Sequence, residues 1–321
     1  MPPHRLPASP KTRPLFPKNR LSQALTSAVI AVGTTAASVT AAPAAAAVGH
    51  PQHPSSLMTA HVNAPAVLGR AAYLLDASTG EVQFSKAPNR RMPVASLTKV
   101  MTAQVVLKEA KPTDTVTITP EDVRYGAQGG ASVAYLQAGD RLTVEDLLYA
   151  LLLPSGSDAA HALARTYGPG VSGFVAKMNT AARNFGMRDT RYVNIDGMPT
   201  GGGGYSTARD QARLAQIALR KQELLKITST RHHTVAETSR HGAYSWTNTN
   251  SLLGTPGVIG LKTGFTRAAG YNLSFAADSH GRRLVGVILG ETVSSRRFQT
   301  ARALLNWAAH KAAGTPYADP R

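Results

Sequence analysis

The spacing of apolar and polar positions changes period twice along the chain. Ala71 to Leu75 and Glu81 to Ser85, joined by Asp76-Ala77-Ser78-Thr79-Gly80, read as a β-hairpin. A nearly continuous apolar run from Val100 to Leu107 then reads as a helix buried on most of its sides. Thr119-Pro120-Glu121-Asp122 and Thr143-Val144-Glu145-Asp146 are helix starts, each with a capping hydroxyl and acids in the first turn. Between them, Gly126 to Gly139 is a polar loop. Leu147, Leu148 and Leu151 to Leu153 form one helical face that stops at Pro154. Asp158 to Tyr167 and Val171 to Phe185 are two more helices. Thr207 caps another, which is expected to reach about Leu225.

From there the period shortens to that of strands. Gly257 to Thr263 is extended, with Gly264 expected to end it, and Tyr271 to Ala277 and Leu284 to Leu289 are two strands around a turn. Ser294 to His310 closes the fold as a helix, apolar at Phe298, Ala301, Leu304, Leu305 and Ala308. Strands therefore lie at both ends with a helical block between them. The simplest assembly is an α/β (α+β) fold: one antiparallel sheet packed by the first and last helices, with an inserted all-helical subdomain. No internal repeat is visible.

Composition narrows the chemistry. The 321 residues are 43% hydrophobic and 17% charged, enough for a sizeable core, and include no cysteine. Disulfides, thiolate metal sites and cysteine nucleophiles are thereby excluded. The net charge is +17; residues 1–47 hold five basic side chains and no acid, which leaves +12 on the rest. Such an excess favours anionic surroundings. No basic run is interleaved with aromatics, so nucleic acid is not an expected partner. His232 and His233 adjoin, but with no evident carboxylate or third histidine they read as a surface loop rather than a metal site.

The N-terminus has its own logic. A basic, proline-rich stretch precedes the uncharged segment Leu21 to Val48, which ends in small residues. This is the order of a secretory signal peptide, expected over 1–47 with cleavage near Ala42 to Ala47. A membrane partner is expected only if that segment stays uncleaved. Residues 48–67 read as a linker, 68–315 as the globular domain and 316–321 as a tail.

One local feature breaks a rule. Lys99 falls in the first turn of a core helix, where the macrodipole favours acids and burial disfavours charge. One turn of helix sets it on the same face as Ser96, so a hydroxyl stands beside an amine pushed toward neutrality. The spacing alone is a weak signal. Ser155-Gly156-Ser157 forms the turn between two helices, and Lys262-Thr263-Gly264 ends a strand with a cation, a hydroxyl and room for a ligand backbone. The glycine run Gly201 to Gly204 is followed by no Lys-Ser or Lys-Thr, so it reads as a mobile loop and not a phosphate loop.

Ser96-x-x-Lys99, Ser155-Gly-Ser157 and Lys262-Thr-Gly264, in that order, follow the pattern of the penicilloyl serine enzymes. Over nearly all of Leu68 to His310 the chain resembles the serine D-alanyl-D-alanine carboxypeptidases, low-molecular-mass penicillin-binding proteins of the β-lactamase/transpeptidase-like fold. The resemblance implies that Ser96 is acylated by the penultimate D-alanine, that Lys99 takes its proton, and that Ser155 passes a proton to the leaving amine. It implies that Lys262 and Thr263 hold the terminal carboxylate, with Lys262 also repelling charge from Lys99. It places the oxyanion against the backbone N–H groups of Ser96 and Phe265, with Gly264 leaving room for the ligand backbone. Peptidoglycan stem peptide is the implied substrate and β-lactams the implied inhibitors; no cofactor or metal is implied.

The departure is Ser157, where the family usually has Asn. Ser157 would either meet substrate with less reach or only cap the following helix. Two other functions remain open. One is a β-lactamase or esterase on the same scaffold; a β-lactamase needs fast deacylation, yet the stretch from Arg188 to Tyr205 holds Asp189 and Asp196 and no Glu. A non-catalytic wall-binding module would have no use for the intact Ser96, Lys99 and Lys262.

Overall fold

The computed structural model describes residues 63–199 and 202–317. The expected signal segment lies outside the described residues, as do most of the linker, part of the tail, and Gly201 of the glycine run.

The opening hairpin is β1 (Ala71–Asp76) and β2 (Val82–Lys86). A short 3₁₀ turn at Ala95–Leu97 runs into α1 (Thr98–Glu109). There follow β3 (Thr115–Thr117), α2 (Pro120–Gly126), β4 (Arg141–Thr143), α3 (Val144–Leu152), α4 (Ser157–Tyr167) and α5 (Gly170–Asn184). Next come α6 (Ala208–Ala218), α7 (Gln222–Ser229), β5 (His232–Val235) and β6 (Tyr244–Thr247). Three long strands, β7 (Val258–Thr266), β8 (Gly270–Ser279) and β9 (Arg282–Glu291), precede α8 (Arg296–Ala313).

The two groups of strands join one antiparallel sheet, ordered β2-β1-β9-β8-β7. Its two faces follow the period of two along β9. Leu284 and Ile288 meet Phe298, Leu304, Leu305 and Trp307 of α8. Val285, Val287 and Leu289 face the other core, which contains Ala208, Ala212 and Ala215 of α6. Each large side chain on α8 removes apolar surface worth roughly 1.5–3 kcal/mol. The second cover of the sheet is therefore α6 and not the first helix, as the sequence suggested. Helix α1 instead threads the helical subdomain, with Thr98 to Val106 buried throughout. It needs apolar surface on nearly every side because α3, α4, α5 and α6 surround it.

Local chemistry fixes the helix starts. Thr119 and Asp122 form a reciprocal capping box, and the hydroxyls of Thr143 and Thr207 accept from the backbone N–H groups of Asp146 and Asp210. Three boundaries differ from expectation. The helix after Thr207 breaks at Leu219–Lys221 into α6 and α7. Strand β7 continues through Gly264 to Thr266, because Gly264 is paired with Asn272 rather than set in a turn. His233 lies on a strand, stacked on Tyr149 with its ring centroid at 3.7 Å and its Nε2 3.1 Å from Asp146 Oδ1. A carboxylate thus does stand beside it; among the described residues no three metal-ligating side chains come together. No helix among the described residues is long and apolar enough to cross a membrane.

Candidate active site

Strand β7 brings the third motif to the first. It is the edge strand of the sheet, and at Gly264 it passes the 3₁₀ turn that carries Ser96. A Cβ on Gly264 would stand 2.9 Å from the Val94 carbonyl oxygen and 3.1 Å from the Ser96 backbone nitrogen. On the other side of the turn, Gly197 (φ +82°) lies so close that a Cβ there would overlap the Ala95 carbonyl. Ala95 itself has a positive φ of 51°. The turn that carries Ser96 is thus held between two glycines, and strain at Ala95 is maintained by its neighbours.

The Lys99 ammonium nitrogen lies 3.2 Å from Ser96 Oγ and 3.2 Å from the Asp196 carbonyl oxygen. The side chain is fully buried. Burial lowers its pKa from 10.5 to about 8, against the attraction of the Asp196 and Asp158 carboxylates. Lys262 is also buried, and it donates to the carbonyl of Thr263 at 3.1 Å. Its amine is pushed well below the usual lysine range by burial first, then by Lys99 and Arg297. The two buried amines repel one another, so each disfavours the charge of the other.

The middle motif is strained into place. Ser155 has a positive φ of 70°, and its buried hydroxyl has no hydrogen-bond partner. The Asp158 carboxylate accepts from the backbone N–H groups of Ala134 and Leu136, tying the 131–137 loop to the start of α4. A Cβ on Gly156 would press on that loop at Ala134.

Ser96, Ser155, Thr263, Gly264 and Phe265 line one cleft of about 830 Å³, together with Ser132, Thr249, Arg267 and Arg297. Lys99, Lys262 and Ser157 stand behind its wall. Ser157 is fully buried, its hydroxyl unpartnered. It is the first residue of α4 and makes no capping bond, so the capping role weighed from the sequence does not hold. Phe265, half exposed, stacks on Tyr271.

Two contributors escaped the sequence reading. Thr249 shares a 2.6 Å hydrogen bond with the hydroxyl of Thr263; nothing in its polar neighbourhood marks it. Arg297 reaches from α8 to the carbonyl oxygens of Gly264 and Asn272, and burial lowers it to about 10. Its signal was legible: the first turn of α8 holds Arg296 and Arg297 and no acid, the same violation that singled out Lys99.

Comparison with known proteins gives a consistent outcome. The profile of the D-alanyl-D-alanine carboxypeptidase family, Peptidase S11, matches residues 58–293. The chain is 36% identical over 259 residues to a D-alanyl-D-alanine carboxypeptidase of Streptomyces sp. strain K15, covering 77% of this chain and 89% of that protein. It is 34% identical to the carboxypeptidase DacC of Escherichia coli over 77% of this chain and 62% of that longer protein. The crystal structure of the Streptomyces K15 DD-transpeptidase superposes with a TM-score of 0.73 at 36% identity, over 77% of this chain and 99% of that one. With the three motifs converging on one cleft and the match spanning most of the sequence, the chain belongs to the D-alanyl-D-alanine carboxypeptidase family of serine peptidases.

Proposed function

We propose that Ser96 is the nucleophile by which this enzyme removes the terminal D-alanine from peptidoglycan stem peptides. As a member of its family the chain is a serine hydrolase of D-alanyl-D-alanine peptides, on a fold that binds β-lactams. The observation that carries the assignment is the 3.2 Å contact between Ser96 Oγ and a buried Lys99 whose nearest hydrogen-bond acceptors are that hydroxyl and a carbonyl. An amine so placed loses its proton easily enough to act as base near neutral pH.

The steps follow from the positions of the groups. The substrate's terminal carboxylate lies against Thr263 and Thr249, with Lys262 and Arg297 behind them. Its negative charge returns a proton to Lys262 and so favours the neutral form of Lys99. Ser96 Oγ attacks the penultimate carbonyl as its proton passes to Lys99, and the oxyanion meets the N–H groups of Ser96 and Phe265. Ser155 relays a proton to the departing amine, the C–N bond breaks, and D-alanine leaves. Water then adds to the ester, releasing the shortened peptide and returning the proton to Ser96. No step calls for a metal or cofactor.

This chemistry belongs outside the cytoplasm, and we place the protein in or at the wall, exported by residues 1–47. A transfer reading is favoured by one observation, the likeness to the K15 DD-transpeptidase: an amine in place of water would yield a new peptide bond. Intact-mass measurement after benzylpenicillin tests the assignment. The expected result is one stable adduct, absent in Ser96→Ala. Rapid loss of the adduct with hydrolysed drug would point to a β-lactamase, and no adduct with retained peptide binding to a binding module. Release of D-alanine from diacetyl-Lys-D-Ala-D-Ala, with and without an added amine, separates hydrolysis from transfer.

A further inference from the structure

Lys99 is a buried amine with two acids nearby. The Asp196 carboxylate, between α5 and α6, and the Asp158 carboxylate, at the start of α4, both favour its charged form. Lys262 of β7 adds repulsion. Among the described residues, α3, α5 and α6, which also pack on α1, present no further charge to the amine. An acid that closed on Lys99 would form a buried ion pair. The paired ammonium would hold its proton, and Ser96 would lose its base.

Neither acid closes on it. Lys99 donates to Ser96 Oγ and to the backbone carbonyl of Asp196, not to a carboxylate. Each carboxylate is bound elsewhere. Asp158 accepts from the backbone N–H groups of Ala134, Leu136 and Ala159, at 2.9 to 3.1 Å. Asp196, itself buried, accepts from the Met198 N–H at 3.1 Å and from the Tyr125 hydroxyl. Backbone alone holds Asp158, whereas Asp196 depends on a side chain as well.

That side chain is fixed in turn. Tyr125 lies in the last turn of α2, and its ring stacks on His161 of α4 with centroids 4.6 Å apart. His161 Nδ1 is 2.6 Å from Asp122 Oδ1, and Arg165 forks onto the same carboxylate at 2.9 and 3.1 Å. Asp122 also caps α2, so the helix, the ring and its support form one unit. Where α2 ends, a Cβ on Gly126 would stand 2.8 Å from the Asp158 Cβ, which leaves α2 no room to shift against α4.

We propose that Tyr125 is a positioning residue for the reaction: its hydroxyl anchors the Asp196 carboxylate and so keeps Lys99 free to take the Ser96 proton. Tyr125 does not line the cleft, so it acts through Asp196 and not on substrate. The inference rests on the peptidase reading above and adds to it a group that governs when the base is available.

The test is the pH profile, over about pH 6 to 10, of the second-order rate constant for acylation by benzylpenicillin. Burial first, and then Asp196, push the Tyr125 hydroxyl well above the usual tyrosine range, so it remains a donor throughout. Tyr125→Phe keeps the ring on His161 and removes only that donor. We expect its acid limb to move up by roughly one pH unit, about tenfold slower acylation at pH 7, with the plateau above the limb within about twofold of wild type. In an Asp196→Asn background, where the carboxylate is gone, Tyr125→Phe should leave the limb where Asp196→Asn alone puts it. A Tyr125→Phe limb that stays in place or moves down would overturn the proposal. So would an equal loss at every pH, or the same shift in both backgrounds, since packing alone would then account for the effect. Wild-type protein that forms no benzylpenicillin adduct at any pH would instead overturn the peptidase reading, and this inference with it.

Discussion

Gly264 and Ser96 belong to different layers of the fold, yet a single added carbon on Gly264 would stand 3.1 Å from the Ser96 nitrogen. Strand β7 and the turn that carries Ser96 are in contact there, and the Val94 carbonyl at 2.9 Å closes the other side. Gly264→Val must push the strand and the turn apart. Displacement of a reacting group by about 1 Å can cost on the order of a hundredfold in rate. We expect acylation by benzylpenicillin to slow by about that factor, measured by stopped flow, with the far-UV circular dichroism unchanged. A variant acylated at the wild-type rate would mean that this contact does not set the position of Ser96.

The acylation rate should rise with pH through about 8, as Lys99 loses its proton. The Asp196 carboxylate favours the charged form, so Asp196→Asn should lower the Lys99 pKa further. The backbone carbonyl of Asp196 that accepts from Lys99 is retained in that variant. The acid limb of the acylation profile is expected to move down by roughly one pH unit. A limb that stays in place, or moves up, would show that another group governs it.

Burial of Lys99 bears on stability with a definite sign. Its folded pKa of about 8 lies below the unfolded value of 10.5, so the unfolded chain binds the extra proton between those limits. Stability therefore gains with rising pH across that window, and the full cost of the buried cation is present below pH 8. A tenfold difference in proton affinity between the folded and unfolded chain corresponds to about 1.4 kcal/mol. Lys99→Met should accordingly raise the melting temperature at pH 7 and do so less at pH 10, read by calorimetry at both. An equal effect at the two pH values would show that packing, and not charge, is responsible.

Ser157 is enclosed and its hydroxyl has no partner. Removing it breaks no hydrogen bond, so Ser157→Ala should leave stability within about 1 kcal/mol. Acylation by benzylpenicillin should stay within about threefold of wild type, under 1 kcal/mol in barrier. A tenfold loss would show that Ser157 turns toward the ligand during reaction.

Much of the fold could be read locally. The hydroxyl caps at Thr119, Thr143 and Thr207 and the alternation along β8 and β9 depend on neighbours a few residues away, and the structure agrees at each. The end of β7 could not be read this way. Glycine commonly marks a turn, but Gly264 is there for a close approach from 168 residues earlier in the chain, at Ser96. His233 gains its carboxylate in the same manner, from Asp146 on another element.

By itself the sequence determined the chemical inventory: a serine and a lysine on one helical turn, a second serine at a helix junction, and a cationic strand. Those follow from period, capping and residue type, which act over a few residues. The tertiary structure alone decided which groups meet. It set Lys262 near enough to Lys99 for the two amines to repel one another, paired Thr249 with Thr263, and brought Arg297 under Gly264. It also withdrew Ser157 from the cleft. The physical reason is that electrostatic and steric effects depend on distance through space and on exclusion of water, and both are fixed only when the sheet and the helical subdomain close on one another.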